Sequence, residues 1–417
     1  MLETPKEAKQ SICFLVGSVA LSGGTYVIFQ HAQFLQEKGY NITIAVQEPF
    51  DETTTSWHDY GHKLNCVPFD EAKVDNYGLV IATWWKTALQ ITEFKAQNYG
   101  YFVQSIESRF YSEEESPLRD LVNATYKLPV SYITEAVWIK EYLHQNFCQD
   151  ATLVRNGIRK DIYRARASIA APPQKRTQPR VLVEGHFNVP FKNTALAVKL
   201  ARAAGARDIW VLTGSAVKRL PGVSRVFSRV PIHETANIYS ACDILLKLST
   251  VEGMFGPPLE IFHCGGTALV FDVTGHDEYI VHNENAIVIK GLNTEKVVEE
   301  LSSLLSDSDR LAVLKQGAAK TAKDWPDWMQ SSNLFCNWVE QVLAESKPCS
   351  TVAMEETIRA AWKTYETNEQ IRLKTKPRAS VLQSLKTRVV ASSPRVKELI
   401  KYIMTVIEVI NPSRRVF

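Results

Sequence analysis

Short apolar runs rich in β-branched residues alternate with segments of helical periodicity, and the alternation occurs twice, on either side of a basic, proline-rich stretch. In the first half SICFLVGSVAL leads into GGTYVIFQHAQFLQEKG, where Val27, Phe29, Ala32, Phe34 and Leu35 recur at helical spacing until Gly39. NITIAV, YGLVIAT and YGYFVQSI read as further strands, the last two opening on Tyr-Gly turns. Short strands joined through helices require right-handed crossovers and a parallel sheet covered on both faces. The stretch from Arg164 to Arg180, RARASIAAPPQKRTQPR, has no apolar period and reads as a linker. Beyond it the pattern restarts with RVLVEG, NTALAVKLARAAG, DIWVLTG, HETANIYSAC, DILLKLS, GPPLEIFHCG and TALVFDV. The expectation is α/β architecture in two doubly wound, Rossmann-like domains, residues 1–165 and 178–325, facing a cleft at the carboxyl ends of both sheets. One long helix is predicted over 326–346, packing back towards the first domain, and a basic helical extension over 347–417.

A chain of 417 residues can bury two or three cores of this kind. Hydrophobic residues at 45% and charged residues at 22% are those of an ordinary globular protein, and no apolar run is long enough to predict a membrane-spanning helix. The polar N-terminus MLETPKEAKQ lacks the pattern of a secretory leader, so a cytoplasmic location is expected. Seven cysteines stand singly, without a CxxC pair, and are read as buried free thiols. The net charge of +3 conceals an asymmetry: from Lys347 onwards 14 basic residues face 6 acidic ones, while the body is mildly acidic. Nucleic-acid binding would need positive charge over the folded face, so no nucleic-acid partner is expected.

The segment STVEGMFGPPLEIFHCGGTALVFDVTGHDEY carries the strongest chemical signal. Glu252 and Glu260 are separated by seven residues, the first in a loop after a strand and the second inside a helix opened by Pro257 and Pro258. The backbone of Met254, Phe255 and Gly256 lies at that helix N-terminus, where amides and the helix dipole favour an anion. Carboxylates can grip neighbouring hydroxyls of a sugar or ribose, and a helix N-terminus can neutralise a diphosphate. Gly23 and Gly24 form a comparable turn before the first helix, but the spacing from Gly17 does not make a GxGxxG fingerprint. Metal chemistry is not expected, since the only DxD, Asp307-Ser308-Asp309, reads as a helix cap. No GxSxG elbow is present either.

With these motifs in order, the chain resembles the retaining GT-B glycosyltransferases of family 4. The matching stretches are SGGTYVIFQHAQFLQEKGYNITIAV, VRNGI at Val154 to Ile158, VEGHFNVPFKNTALAV, the EX7E block and NENAIVI at Asn283 to Ile289, and together they span roughly residues 11 to 345. The fragment YFVQSIESRFY, with Gln104, Glu107 and Tyr111, is similar to bacterial rhamnosyltransferases of surface-polysaccharide assembly. The resemblance implies a nucleoside diphosphate sugar as donor, with dTDP-rhamnose the first choice, a glycan or lipid-linked glycan acceptor, and no metal or other cofactor. It implies that Glu260 holds the ribose, that Glu252 faces the donor sugar, and that Lys192 holds the diphosphate. His186 stands where the family has arginine, so its phosphate role is open, with Arg155 or Arg180 as compensating cations. The family's donor-contacting histidine is missing from YFVQSIES, and Glu107 or Gln104 takes that contact. Trp84 and Trp85 could stack on a sugar face, and Arg109 and Ser105 complete the acceptor-side candidates. The catalytic set is therefore Glu252, Lys192 and Glu107, acting by electrostatics and alignment without a positioned nucleophile. A sugar-nucleotide epimerase, a phosphorylase and a non-catalytic nucleotide-sugar-binding subunit are the rival readings.

Residues 373–417 combine a basic stretch with an apolar stripe at Val396, Leu399, Ile400, Ile403, Ile407 and Ile410. Such a segment can dock on the first domain, mediate a homodimer, or rest on anionic lipid at the inner face of a membrane.

Overall fold

The computed structural model describes residues 10–165, 177–345 and 350–375, together with residues 406 and 409. They form two compact units. The first comprises the chain up to Gly157 and Pro326–Lys374, and the second comprises Ile158–Trp325 and the described residues of the C-terminal segment.

In the first unit the elements run β1 (Ser11–Val16), α1 (Gly23–Glu37), β2 (Asn41–Val46), β3 (Asn65–Pro68), α2 (Phe69–Ala72), β4 (Asn76–Ala82), α3 (Trp85–Ala88), β5 (Lys95–Val103), α4 (Ser116–Thr125), β6 (Ser131–Thr134), α5 (Val137–Phe147) and β7 (Ala151–Leu153). Its parallel sheet has the order β3-β2-β1-β4-β5-β6-β7. The second unit runs β8 (Val181–Glu184), α6 (Thr194–Ala203), β9 (Ile209–Thr213), β10 (Arg225–Ser228), α7 (Ile232–Ser240), β11 (Ile244–Lys247), α8 (Gly256–His263), β12 (Thr267–Phe271), β13 (Ala286–Ile289), α9 (Thr294–Ser306) and α10 (Ser308–Asp324). Its sheet, also parallel, has the order β10-β9-β8-β11-β12-β13. In both sheets the strand order reverses beside the first strand, between β1 and β4 and between β8 and β11. The crevice at the carboxyl ends of those strands is where such sheets bind ligands.

The run SICFLV forms β1 because five of its six residues are buried under helices on both faces, and TALVF forms β12 for the same reason. The chain returns to the first unit in α11 (Trp328–Ala344), which lies against α1. There the His31 ring stacks on Phe335 with centroids 4.2 Å apart, and its Nδ1 lies 3.0 Å from the Ser332 hydroxyl. Burial pushes this histidine down to about 3, so it is a neutral core residue. α12 (Thr351–Thr375) follows on the other face, where Met354 and Ala361 join the core. Asp307 caps α10, its carboxylate accepting the Arg310 amide at 2.9 Å.

Two expectations change. Among the described cysteines Cys13, Cys242, Cys264 and Cys336 are buried free thiols, but Cys66 is half-buried and Cys148 is exposed. Cys148 ends α5 in the left-handed conformation, a position that faces water because the helix stops there. In the tail, Val406 and Val409 are helical and pack into the core of the second unit rather than the first, Val409 with 1% exposure. Three residues apart, they share one helix face. Val396, Leu399, Ile400, Ile403, Ile407 and Ile410 lie outside the described residues. Among the described residues no helix is long and apolar enough to cross a membrane.

If Val409 fastens the tail to the second unit, Val409→Ala removes two buried carbon atoms and costs about 2 kcal/mol. The expected outcome is a lower urea midpoint for that unit's transition. An unchanged midpoint would show that the contact does not contribute.

Candidate functional site

The β8/β11 switch point gathers charge. Strand β8 ends on Glu184, and the loop after it turns back to place Lys192 ahead of α6. Strand β11 ends on Lys247, and the following loop carries Glu252. The two loops are tied together by the Thr250 amide, which donates to the Phe191 carbonyl at 2.8 Å. Asn193, left-handed at φ 50°, donates its side-chain amide to the Leu248 carbonyl at 2.9 Å.

The result is a chain of alternating charge. The Lys192 ammonium donates to both Glu252 oxygens, at 2.8 and 2.7 Å. The Lys247 ammonium lies 3.5 Å from Glu252 and 2.5 Å from Glu184. Glu252 has 8% of its side chain exposed and Lys247 only 2%, so neither charge is held by water. Burial works against the Glu252 carboxylate, but Lys192 and then Lys247 outweigh it and hold the group below the usual carboxylate range. Burial likewise works against the Lys247 ammonium, and Glu184 and Glu252 together hold it above the usual lysine value. Breaking a buried pair of this kind from one side costs about 3–5 kcal/mol, because the remaining charge is stranded.

Sequence reading gave Lys192 and Glu252 to different parts of a ligand, and the structure joins them. It missed Lys247 and Glu184, although a lysine inside the buried strand ILLK was itself a signal.

Glu260 sits half-buried in α8. Burial pushes its carboxyl up to about 7, against the hydrogen bonds of Tyr239 and Tyr163. Near neutral pH it therefore changes charge. The backbone at Met254–Gly256 offers less than the sequence suggests. The Gly256 amide is spent on the Met254 carbonyl at 3.0 Å, Pro257 and Pro258 have no N–H, and the Phe255 carbonyl takes the Tyr279 hydroxyl. The Phe255 side chain is core.

Of the two compensating arginines, Arg180 fails on placement. Arg180 precedes β8, at the opposite edge of the sheet, where Asp208 binds it at 2.7 Å and Trp210 stacks beneath it. Arg155 belongs to the first unit, its carbonyl accepting the Ser331 hydroxyl at 2.7 Å. His186 lies close over Gly214, where a Cβ would come within 2.2 Å of the ring and force it to shift. Burial is the main cause that lowers its pKa, with Lys192, Lys247 and Arg229 adding to it against Glu184. The ring is therefore harder to protonate than an ordinary histidine. Arg229, a residue sequence reading passed over, follows β10 beside this ring and donates to the Gly214 carbonyl at 3.4 Å.

In the first unit the corresponding region is aromatic, with amide groups beside it. Ser22 caps α1 by accepting the Thr25 amide at 3.1 Å, with Gly23 open and Gly24 against the Gln104 side chain. The Gln104 carbonyl oxygen is buried and has no hydrogen-bond partner among the described residues. Trp84 covers Gly17, where any Cβ would meet the indole at 2.6 Å, and the Lys86 ammonium lies 4.7 Å from its ring. Trp85 is only 4% exposed and is core, its indole N–H donating to the Tyr111 hydroxyl at 3.1 Å, so it offers no face to a sugar. Arg109 stacks on Trp138 and Tyr142. Ser105 is buried beside Gln104. Glu107 accepts the Trp85 amide at 2.8 Å, while its own amide donates to the Tyr126 hydroxyl at 3.0 Å. Burial pushes this carboxyl up to about 8 against the Trp85 hydrogen bond, so it is protonated near neutral pH and pins β5 to α3. A second buried carboxyl that sequence reading passed over, Glu135, receives the Asn156 side-chain amide at 2.8 Å within the VRNGI region. Among the described residues no cluster of three His, Cys, Asp or Glu side chains could hold a metal.

Residues 218–321 match the family described as glycosyl transferases group 1, a segment that contains Lys247, Glu252 and Glu260. No curated protein sequence matches the chain. Similar solved structures include sucrose-phosphate synthase from Thermosynechococcus elongatus, at 16% identity and TM-score 0.63, covering 81% of this chain and 100% of that one. The Anabaena protein HepE in complex with UDP and glucose aligns at 13% identity and TM-score 0.63, over 80% of this chain and 100% of that one. WaaG, a glycosyltransferase involved in lipopolysaccharide biosynthesis, aligns at 12% identity and TM-score 0.57, over 80% and 100%. These likenesses establish the fold, two Rossmann-like domains of the GT-B type, and the family match supports a glycosyltransferase.

Because the folded Glu107 carboxyl binds its proton more tightly than the unfolded one, its stability contribution is full below about pH 4.5 and is lost as pH rises through about 8. Glu107→Gln keeps the hydrogen-bond acceptor without the titration. Its melting temperature relative to wild type should therefore rise between about pH 5 and about pH 9. A constant difference across that range would show that Glu107 is ionised in the folded state.

Proposed function

We propose that the chain is a retaining glycosyltransferase that moves a sugar from a nucleoside diphosphate sugar to a hydroxyl of a glycan or lipid-linked glycan. The observation that carries the reading is the Lys192–Glu252 pair at the second unit's switch point, with Glu252 inside the segment that matches the group 1 family. An incoming diphosphate competes with Glu252 for Lys192. The ammonium moves to the phosphate oxygens, where it offsets the charge that develops as the glycosidic bond breaks. Glu252, freed of Lys192, faces the donor sugar, and its negative charge grows in value as the anomeric carbon becomes positive. Glu260 takes the ribose hydroxyls. Once partly ionised it accepts from both, and burial makes those hydrogen bonds stronger than in water. HepE in complex with UDP and glucose supports a nucleotide-sugar donor by its likeness of fold. TarM, solved with UDP and α-GlcNAc-glycerol, supports a hydroxyl acceptor in the same way, at 9% identity and TM-score 0.61. We assign the acceptor to the first unit, at Trp84 and Gln104. Rhamnose from a dTDP donor, a cytoplasmic location, and contact of residues 373–417 with anionic lipid belong to the same proposal.

A thermal-shift panel of UDP-, GDP-, dTDP- and ADP-sugars tests it. The right donor at 100 times its dissociation constant stabilises the second unit by about 2.7 kcal/mol. Glu260→Ala should lose about 1.5–3 kcal/mol of that affinity, and Lys192→Ala should lose affinity and turnover together. Product analysis should show nucleoside diphosphate released only with acceptor present and the anomeric configuration retained. No shift with any of the four donors would remove the reading, and diphosphate release without acceptor would favour an epimerase.

A further inference from the structure

Strand β11 ends on a residue its surroundings should exclude. It lies in the middle of a parallel sheet, hydrogen-bonded between β8 and β12, and its other residues are fully buried and apolar. Lysine is almost never buried in such a place unless it is paired. Lys247 is paired twice, to Glu184 on the neighbouring strand at 2.5 Å and to Glu252 in the loop above at 3.5 Å.

The two lysines on Glu252 differ in freedom. Lys192 stands on a loop with 22% of its side chain exposed, so it can turn to another anion. Lys247 is fixed by its strand and by Glu184, with 2% exposed, and cannot follow. The proposed function draws Lys192 onto the diphosphate. Glu252 would then be a buried carboxylate with no cation, and it would take up a proton, unless a second cation stayed behind.

We propose that Lys247 is that cation: a positioning residue that keeps the Glu252 carboxylate charged and in place after Lys192 has moved to the donor. The inference rests on the reading of Glu252 as the residue that faces the donor sugar. Glu184 and His186 from β8 and its loop, Lys192 from the same loop, Glu260 from α8 and Tyr279 from the segment after β12 are the other titratable groups that face this pair. Of these, Glu184 is the one in hydrogen-bond contact with the lysine, and it keeps the ammonium from leaving the sheet.

The test is a titration of the full chain labelled with 13C at the glutamate carboxyl, the Glu252 signal being assigned by its loss in Glu252→Gln. Wild type, Lys247→Arg and Lys247→Met are compared with and without UDP. The expected result is that Glu252 titrates about 1–3 units higher in Lys247→Met, higher still with UDP bound, and near wild type in Lys247→Arg. The acid limb of the kcat profile should move by the same interval, with kcat falling further than the donor KM rises. If Lys247→Met does not fold, the double variant Lys247→Met/Glu184→Gln removes both charges as a unit and should show the same rise. A Glu252 midpoint that is equal in wild type and the charge-free variants overturns the inference, whether or not UDP binds. Failure of every nucleotide sugar to bind wild type overturns the functional reading instead, and the two failures are read from separate signals.

Discussion

A lysine ammonium taken out of water inside a β-sheet has to be met by carboxylates, and those carboxylates have to be brought by other strands and loops. Lys247 imposes that requirement on the second unit. Glu184 must end β8 at its side, so the β8–β11 register is fixed by electrostatics as well as by apolar packing. Glu252 must fold back over the strand end, which sets the loop between β11 and α8 and so the start of α8. Lys192 then completes the charge balance from the loop after β8. The cluster sits where strand order reverses, the one edge of the sheet where two successive loops diverge and leave room for a ligand.

The arrangement costs more than an apolar one of the same volume would, since desolvating several charges is rarely recovered in stability alone. A cluster of this kind is better understood through what it allows. With one mobile and one fixed lysine on the same carboxylate, an anionic ligand can take the first without stranding the second partner. His186 lies beside the cluster, where burial lowers its pKa, and Arg229 lies next to it. The first unit is built to the same strand order but carries aromatic and amide groups instead, Trp84 and Gln104 over the start of α1.

Much of the fold could be read directly, because its central strands are long apolar runs covered on both faces. SICFLV, NYGLVIA and TALVF allow no other interpretation when each is followed or preceded by a helical pattern. Three of the four edge strands were not legible. β3, β7 and β10 are three or four residues long and only partly buried, so they show neither a continuous apolar run nor a clean alternation. In the site, the EX7E glutamates could be found by spacing, but their partners could not. Which cation meets Glu252 depends on β8 and β11 being neighbours, a tertiary fact. Arg180 looked suitable from its place before a strand, and that place puts it at the wrong edge. Trp84 and Trp85 read as equivalent, yet Trp84 only precedes α3, whereas Trp85 opens that helix and is buried in the core.

The most direct measurement is a crystal structure of the full chain with a nucleoside diphosphate bound. The account predicts the diphosphate at the β8/β11 switch point, within about 3 Å of the Lys192 ammonium, with Lys192 withdrawn from Glu252 and the Lys247–Glu252 contact kept. A nucleotide bound elsewhere, or one bound there with the Lys192–Glu252 pair intact, would contradict it.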